Sequence, residues 1–334
     1  MPSWPRFSRP WTERGPLMTE FGAATRLSVL IPVYNWDSGQ LISALAREIL
    51  AGGLTAEVEV RLFDDASQAT FRDRNRVHIA AAREQGIAMA MQEAPHNVGR
   101  SAARNALVSL ASGRLLLFLD ADVLPDEPDF LRRYLTAADS ADALCGGISY
   151  RQCGAATANE RFYLRYSSNA SVADAETRMQ LPWAWVYTAS ILVARDTIAR
   201  VPFDGGFVGY GYEDLEWGLR ISRQGRLRHI DNTVTHLGLL SKQTLARKSS
   251  EAALNLVHLW HLHPEVARGM SLVRLSRRLS VLPSPLLVAG ALAARWLFMR
   301  LPGPYGVELA LFQADKVFRS ALAFRRAASP RAQA

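Results

Sequence analysis

Short apolar runs alternate with amphipathic stretches along the first 120 residues of the chain. The apolar runs predict buried strands, because a run of about four to eight apolar residues between turn residues is typical of them. The stretches between them carry apolar residues every three to four positions, which predicts helices. The predicted strands are 27–32, 58–63, 87–91 and 115–119, and the predicted helices are 38–50, 70–84 and 101–110. Strands and helices that alternate at this spacing predict βαβ units and a mostly parallel sheet of the α/β class.

The pattern becomes mixed after Asp142. The predicted elements there are strands at 144–150 and 186–194, a helix at 159–168, a loop rich in glycine and aromatic residues at 205–212, and a helix at 213–224. We therefore expect a Rossmann-like, mostly parallel sheet with a mixed subregion in one α/β domain at 26–245. A helical extension is expected at 246–334.

The N-terminal segment and the cysteines indicate the cellular compartment of the protein. Residues 1–25 are expected to be a disordered lead-in, because proline, arginine and serine dominate them and they lack the apolar core of a signal peptide. Translation from Met18 is an alternative start. Cys145 and Cys153 are the only cysteines and form neither a disulfide framework nor a zinc motif. A reducing, cytoplasmic compartment is therefore expected.

Basic side chains are concentrated in the last quarter of the chain. The net charge of the 334 residues is +8, and residues 247–334 alone hold 13 basic and 4 acidic side chains. Such asymmetry predicts an anionic partner, either lipid headgroups or nucleic acid. No aromatic residues are interleaved with this charge as a base-stacking platform requires, so nucleic acid is not expected as a partner.

An apolar segment lies inside this basic region. Residues 279–294 are 16 consecutive uncharged residues, just short of the roughly 18–20 that a membrane-spanning helix needs. Pro283 and Pro285 predict a break near its start. The arginines that flank it are Arg274, Arg277, Arg278, Arg295 and Arg300. The combination predicts a helix that lies at an anionic membrane surface, so that the protein would be peripheral at the inner face of the cytoplasmic membrane. A helix that packs on the catalytic domain or in a dimer interface is the open alternative.

Acidic pairs follow two of the predicted strands. Asp64 and Asp65 end one strand, and Asp120 and Asp122 follow another. Ligands of parallel sheets bind beyond the carboxyl ends of the strands, where these side chains are expected to lie. Carboxylate oxygens suit Mg²⁺ or Mn²⁺, although a turn or a helix cap explains each pair equally well when it is taken alone.

Two further segments carry candidate chemistry. Residues 97–105 combine Gly99 with two arginines at a helix start, where amides and guanidinium groups can face a diphosphate. The segment is neither a Walker loop nor a dinucleotide fingerprint. Glu213 and Asp214 follow the glycine-rich loop, where they can favour the helix dipole or supply a general base.

Together these segments resemble the family 2 glycosyltransferases of the GT-A fold. The matching motifs are SVLIPVYN at 28–35, FDDAS at 63–67, NVGRSAARN at 97–105, LFLDADVLPDE at 117–127, GGFVGYGYEDLEWGLR at 205–220 and the histidine of VTHLG, His236. They occur in the family's order across about 210 residues. The sequence departs from the family pattern at Ala66, where glycine is common, at Tyr212, where glycine or tryptophan is commoner, and at Glu216, where a second aspartate is frequent.

The resemblance implies a role for each matched residue. Asp214 would be the catalytic base, and Glu213 would orient the base or the acceptor. The residues implied for the nucleotide-sugar are Pro32, Tyr34, Asp64, Asp65, Gly99, Arg104 and Asp120. The residues implied for Mn²⁺ or Mg²⁺ are Asp122, Asp120 and His236. Candidates for the acceptor side are Trp183, Trp185, Tyr210 and Tyr212, although core packing explains the two tryptophans equally well.

The implied activity is transfer of a sugar, with inversion, from a nucleotide-sugar to a hydroxyl group. One base without a second carboxylate nucleophile is the arrangement of an inverting enzyme. A UDP-linked donor is expected, with a cell-envelope glycan or a lipid-linked sugar as acceptor, which would place the protein in polysaccharide biosynthesis. A non-catalytic protein that binds nucleotide-sugars or glycans is the alternative.

Overall fold

The computed structural model describes residues 25–301 and 303–328, so most of the predicted lead-in lies outside the described residues. The strands are β1 Leu27–Val33, β2 Val58–Asp64, β3 Ala88–Glu93, β4 Leu115–Leu119, β5 Val123–Pro125, β6 Ala143–Cys145, β7 Ile148–Ser149, β8 Ser190–Ala194, β9 Leu227–His229 and β10 Val234–His236. The helices up to residue 224 are α1 Gly39–Ala51, α2 Ala69–Glu84, α3 Arg100–Leu110, α4 Phe130–Ala137, α5 Arg161–Ser171, α6 Ala175–Met179, α7 Arg195–Arg200 and α8 Glu213–Gln224. Those after it are α9 Lys242–Leu262, α10 Pro264–Ala267, α11 Ser271–Leu279, α12 Ser284–Arg300 and α13 Tyr305–Ala327.

The central sheet has seven strands in the order β3-β2-β1-β4-β8-β6-β9. The first four are mutually parallel, and β6 and β9 are parallel to each other. Strand β8 runs antiparallel to both of its neighbours. The prediction of a mostly parallel α/β sheet with a mixed second part is confirmed.

Two predicted strands are shorter in the structure. The run 144–150 divides into β6 and β7, which lie in different sheets, because Gly146 and Gly147 separate them. Gly147 has a φ of +89°, and a Cβ on Gly146 would lie 2.2 Å from the Asn232 carbonyl oxygen. The run 186–194 forms a strand only from Ser190, because Thr188 before it hydrogen-bonds to Asp214 instead of a neighbouring strand.

Alternate residues of β1 build a core on each face of the sheet. Val29 and Ile31 pack with the apolar residues of α1, α2 and α4, whereas Leu30 packs with those of α3 and α8. Burial of a large apolar side chain stabilises a fold by about 1.5–3 kcal/mol. Both faces together hold the carboxyl ends of the strands rigidly, and this edge carries the candidate site.

A smaller sheet in the order β5-β10-β7 lies beside this edge. Its antiparallel register pairs His236 of β10 with Val123 of β5, the residue after Asp122. The Leu237 amide also donates to the Asp122 carbonyl oxygen at 2.8 Å. The small sheet thereby brings His236, which is distant in sequence, next to Asp122.

The C-terminal helices pack on one another and on α5. Helix α13 packs against α9, α11 and α12, and its buried Asp315 pairs with Arg295 of α12 at 2.7 Å and with Arg319 at 2.7 Å. The predicted break before the apolar helix lies at Pro283, whose extended backbone precedes α12. Throughout residues 25–301 and 303–328, no helix is both long and apolar enough to cross a bilayer.

Candidate active site

The carboxyl ends of β1, β2 and β4 bring the first predicted site residues together. In the parallel register Val33 pairs with Asp64, and the Asp65 amide donates to the Val33 carbonyl oxygen at 2.8 Å. The Tyr34 ring follows β1 and is 56% exposed, so one face is free to cover a ligand. Pro32 lies beside it near the end of β1 and is half-buried.

A tight turn fixes the two aspartates after β2. Asp64 is buried, and its Oδ1 accepts the Ser67 amide at 2.9 Å, whereas its buried Oδ2 has no partner among the described residues. Ala66, which follows the two aspartates, has a φ of +62°, the left-handed conformation that glycine adopts without a steric cost. Ala66, which replaces the glycine that is common in the family, therefore has a strained backbone conformation.

Asp65 holds the start of α3. Its Oδ1 accepts the Val98 amide at 2.6 Å, and its Oδ2 accepts the Gly99 amide at 3.0 Å. Burial raises the pKa of Asp65, although these two amides oppose the rise. Gly99 has a φ of +86°, and α3 begins at the next residue. Asp65 and Gly99 are thus one structural unit, and α3 projects its arginines toward the other carboxylates.

Arg104 of α3 lies between two of the candidate carboxylates. The side chain is 1% exposed, its Nη2 donates to Asp120 Oδ1 at 2.9 Å, and its Nη1 lies 4.0 Å from Asp214 Oδ1. Burial opposes ionisation of Asp120, but Arg104 and Arg100 outweigh it and lower the pKa of that carboxyl. The buried Arg104 guanidinium therefore partly neutralises the negative charges of Asp120 and Asp214.

Asp214 is the second residue of α8, and that helix begins directly after a left-handed residue. Tyr212 has a φ of +71°, at a position where glycine or tryptophan is commoner in the family. Asp214 accepts hydrogen bonds from the Thr188 amide at 3.2 Å and from Thr188 Oγ1 at 2.9 Å. Burial raises the pKa of Asp214 to about 6, although Arg104 opposes the rise. This carboxylate is ionised at neutral pH and basic enough to accept a proton, as a general base must.

Glu213 is engaged by the other arginine of α3. Its Oε1 accepts from Arg100 Nη1 at 3.0 Å, and the Glu213 side chain is only 6% exposed. Arg100 also lies over the Tyr210 ring, with its Cζ 5.0 Å from the ring centroid. Glu213 therefore orients Arg100 and Tyr210, whereas Asp214 retains its exposed edge for a reacting group.

Only two of the three predicted metal ligands, Asp122 and His236, lie close together. Asp122 Oδ2 lies 3.6 Å from His236 Nε2, and both side chains are partly exposed. Asp120 is held by Arg104 instead, and among the described residues no three His, Cys, Asp or Glu side chains converge as metal ligands. One carboxylate and one imidazole fit a divalent ion whose remaining ligands are water and substrate phosphates. The donor set is therefore suited to an ion that arrives with a diphosphate.

The acceptor candidates separate into two kinds. Trp183 and Trp185 lie in a 3₁₀ turn, Pro182–Trp185, and Trp183 packs against the core under α8. Tyr212 packs in the cluster formed by the C-terminal helices. Tyr210 lies against Arg100, which pairs with Glu213, so it is an acceptor candidate that the fold brings to the site.

Three residues that sequence reasoning missed also meet this site. Thr188 holds Asp214, as described above. Asn255 of α9 hydrogen-bonds to the loop that carries Tyr210, and Lys248 of α9 lies over the Tyr210 ring with its Nζ 4.8 Å from the centroid. Thr188 lies within the predicted strand 186–194. Lys248 is only one of the 13 basic side chains of residues 247–334. Neither position carries a local sequence signal.

Residues 28–192 match glycosyl transferase family 2. Two curated relatives, from Streptomyces hygroscopicus subsp. limoneus and subsp. jinggangensis, are both named validoxylamine A glucosyltransferase. They are 31% and 30% identical to this chain over 230 residues, or 60% of the chain. The chain spans about half the length of these relatives, 48% and 52%.

Two solved structures share the fold. The mannosyltransferase PcManGT from Pyrobaculum calidifontis, in complex with GDP-Man and Mn²⁺, has a TM-score of 0.53 at 16% identity over 96% of this chain and 91% of its own. S. aureus TarS has a TM-score of 0.51 at 14% identity over 91% of this chain and 55% of its own. At these identities the likeness shows the fold alone. Residues 28–192 of the chain therefore belong to glycosyl transferase family 2, and the chain has the GT-A fold.

Proposed function

We propose that this glycosyltransferase moves a sugar from a nucleotide-sugar to a hydroxyl acceptor with inversion, and that Asp214 is the base. The observation that carries the proposal is the arrangement around Arg104, which lies between Asp120 on the donor side and Asp214. Asp214, with a pKa of about 6, stands there, and the neighbouring carboxylates of Glu213 and Asp120 are paired with Arg100 and Arg104. Among the described residues this leaves Asp214 as the base and supports a reaction without a covalent intermediate.

The donor would lie along the ends of β1, β2 and β4. The exposed Tyr34 ring and Pro32 would cover the nucleoside, and Asp64 and Asp65 would bind it from the buried side of the pocket. The unpartnered Oδ2 of Asp64 supports this role, because a buried carboxylate oxygen without a donor is costly until a ligand supplies one. Asp120 would accept a ribose hydroxyl with the oxygen that Arg104 leaves free.

The diphosphate would lie near Asp122 and His236 together with Mn²⁺ or Mg²⁺. A bound divalent ion would neutralise the charge that develops on the leaving diphosphate. The fit rests on the 3.6 Å distance between Asp122 Oδ2 and His236 Nε2 and on the buried His236 Nδ1, which has no partner among the described residues. Asp120 is an additional candidate ligand only through the oxygen that Arg104 does not hold.

Asp214 would remove the proton of the acceptor hydroxyl as that oxygen attacks the anomeric carbon. The proton moves to an Asp214 oxygen, while the bond from the anomeric carbon to the diphosphate breaks on the opposite face. Thr188 keeps the carboxylate oriented for this transfer, and Arg104 stabilises its ionised state. The curated relatives are named glucosyltransferases, so UDP-glucose is the first donor to test; a glycan or a lipid-linked sugar is the proposed acceptor class.

The extension would meet an anionic membrane surface. One face of α12 exposes large apolar side chains, since Leu286, Leu292 and Trp296 are 58%, 59% and 59% exposed. The opposite face is buried through Leu287 and Phe298. Exposed arginines of α11 lie at the same end of the chain, and apolar side chains beside basic ones suit the boundary of an anionic bilayer.

Flotation with vesicles tests the membrane proposal. The full chain should float with vesicles that contain phosphatidylglycerol, and a double variant Leu292→Gln/Trp296→Gln should lose this binding. Val77→Gln is the matched control, because Val77 is 67% exposed but lies on α2 of the catalytic domain. Equal flotation of the double variant and the wild type would contradict the proposal.

Calorimetric titration with nucleoside diphosphates tests the donor assignment. UDP and GDP would each be titrated into the wild type with Mn²⁺, and thermal unfolding would be followed in parallel, because a ligand that binds only the folded state raises its stability. We expect binding of at least one nucleotide, weakened by Tyr34→Ala. No binding of either nucleotide would contradict the proposed donor class.

A further inference from the structure

The glycine-rich loop before Glu213 lies along one face of α9. At its beginning Asp204 Oδ2 lies 3.0 Å from His258 Nε2. In its middle the Val208 amide donates to Asn255 Oδ1 at 3.2 Å. At its end Tyr210 lies over Lys248. Positions 248, 255 and 258 share a helix face, because residues separated by three, four or seven positions project together. The C-terminal extension thus supports the whole loop.

Asn255 fixes the loop tightly against this face. Its side chain is buried, and its Nδ2 donates to the carbonyl oxygens of Val208, Tyr210 and Gly211 at 3.1, 3.3 and 3.0 Å. Gly211 has a φ of +100°, and a Cβ there would lie 2.9 Å from Ala252 Cβ. Tyr210 therefore has a defined position relative to α9, and so does the side chain of Lys248.

Two cations flank the Tyr210 ring. Arg100 Cζ lies 5.0 Å and Lys248 Nζ 4.8 Å from its centroid. Arg100 is compensated by Glu213 at 3.0 Å. By contrast, no carboxylate among residues 25–301 and 303–328 lies within salt-bridge distance of Lys248. The second cation of this pair therefore has no ion-pair partner among these residues.

The surroundings of Lys248 favour an anion from outside the chain. Burial lowers the pKa of the ammonium group and Arg100 lowers it further, whereas Asp122 and Asp120 oppose the change. Asp122 is proposed as a ligand of the metal ion at the diphosphate, and Asp120 is proposed for the ribose and as an additional ligand of that ion. A half-buried ammonium next to a guanidinium is unfavourable unless an anion binds between or beside them.

We propose that Lys248 is a further donor-binding residue, which contacts the diphosphate of the nucleotide-sugar from the side of the C-terminal extension. The inference rests on the proposed function and completes the donor site with a residue outside the family's motifs. The Lys248 ammonium group would form charge-assisted hydrogen bonds to phosphate oxygens and would stabilise the negative charge of the departing diphosphate. Tyr210 would hold the side chain in place by a cation–π contact.

Calorimetry on three variants tests this role. The nucleoside diphosphate, UDP or GDP, that the wild type binds more tightly is titrated with Mn²⁺, and the matching monophosphate is titrated as reference. Lys248→Met keeps the aliphatic chain over Tyr210 but removes the charge. We expect roughly ten- to hundredfold weaker diphosphate binding and a much smaller change for the monophosphate. Lys248→Arg should restore most of the diphosphate affinity.

Arg247→Met is the matched control. It removes one positive charge from the neighbouring position, where the Arg247 side chain is 62% exposed and pairs with Glu251. We expect wild-type affinity for this control, and none of the three variants should unfold at a lower temperature than the wild type without nucleotide. If the wild type binds the diphosphate and Lys248→Met binds it equally well, or if Arg247→Met loses as much affinity, the role of Lys248 is wrong and the proposed function stands. If the wild type binds neither nucleotide, the proposed function itself fails.

Discussion

Thr188 holds Asp214 at both carboxylate oxygens: its amide donates to Oδ2 at 3.2 Å and its hydroxyl to Oδ1 at 2.9 Å. Both hydrogen bonds favour the ionised carboxylate, whereas burial favours the neutral acid and raises the pKa of Asp214 to about 6. Thr188 therefore orients the proposed catalytic base and favours its ionised form, whereas burial and the surrounding charges raise its pKa.

Replacement of Thr188 by valine should make Asp214 harder to ionise. The Thr188→Val variant keeps the shape and the amide but loses the hydroxyl, and a hydrogen bond to a charged group contributes about 1.5–3 kcal/mol. We expect the acidic limb of the kcat/KM profile to move up by about one pH unit or more. Thr188→Ser should keep the wild-type profile. An unshifted acidic limb in the valine variant would show that the hydroxyl does not tune the base.

The wild-type enzyme should lose activity as the pH falls through about 6. Asp214 accepts a proton only when it is ionised, so the active fraction is complete above its raised pKa and falls about tenfold for each pH unit below it. Initial rates between pH 4.5 and 8 test this, with nucleotide binding measured at each pH as the control. A rate that stays constant down to pH 5 while binding is unchanged would contradict the assignment.

Removal of the divalent ion should weaken nucleotide binding through Asp122. We expect Mn²⁺ to increase the thermal stabilisation that UDP or GDP gives the wild type, and EDTA to abolish that increase. Asp122→Asn should lose the Mn²⁺-dependent part of the stabilisation. Asp129→Asn, which changes an exposed carboxylate paired with Arg133, is the control and should keep it. An equal Mn²⁺ effect in Asp122→Asn and the wild type would exclude Asp122 as a ligand.

Replacement of Ala66 by glycine should stabilise the fold. Ala66 has a φ of +62°, a conformation that costs an L-residue about 1–2 kcal/mol, whereas glycine costs about 0.4–1 kcal/mol through the unfolded chain. We expect a net gain of about 0.5–1 kcal/mol in the free energy of unfolding by urea. Ala80→Gly, in the exposed face of α2, should instead lose about 1 kcal/mol. Destabilisation by Ala66→Gly would contradict the assignment of strain to Ala66.

The sequence predicts the parts of this site that follow strands. Asp65 and Asp120 come directly after apolar runs, and parallel pairing places the ends of such runs at one edge, so their proximity could be foreseen. The family and the fold class are confirmed. The roles of the individual site residues remain predictions that the experiments above address.

Contacts made across the fold could not be foreseen. Thr188 reaches Asp214 over 26 positions, and its place depends on where β8 begins. The break at Gly147 depends on a left-handed conformation, and the periodicity of apolar residues gives no indication of it. Lys248 meets Tyr210 only because Asn255 holds the loop on α9. Each of these three features depends on tertiary packing, which the local sequence pattern does not predict.

Proton NMR of donor hydrolysis tests the proposed reaction most directly. The enzyme would be incubated with Mn²⁺ and UDP-glucose, in which glucose is α-linked, with water as acceptor, and the anomeric proton of the released sugar would be followed from the first minutes. We expect β-glucose to appear first and Asp214→Asn to lower its rate by about 10²–10⁴-fold. Release of α-glucose first, or an undiminished rate in Asp214→Asn, would contradict inversion with Asp214 as the base.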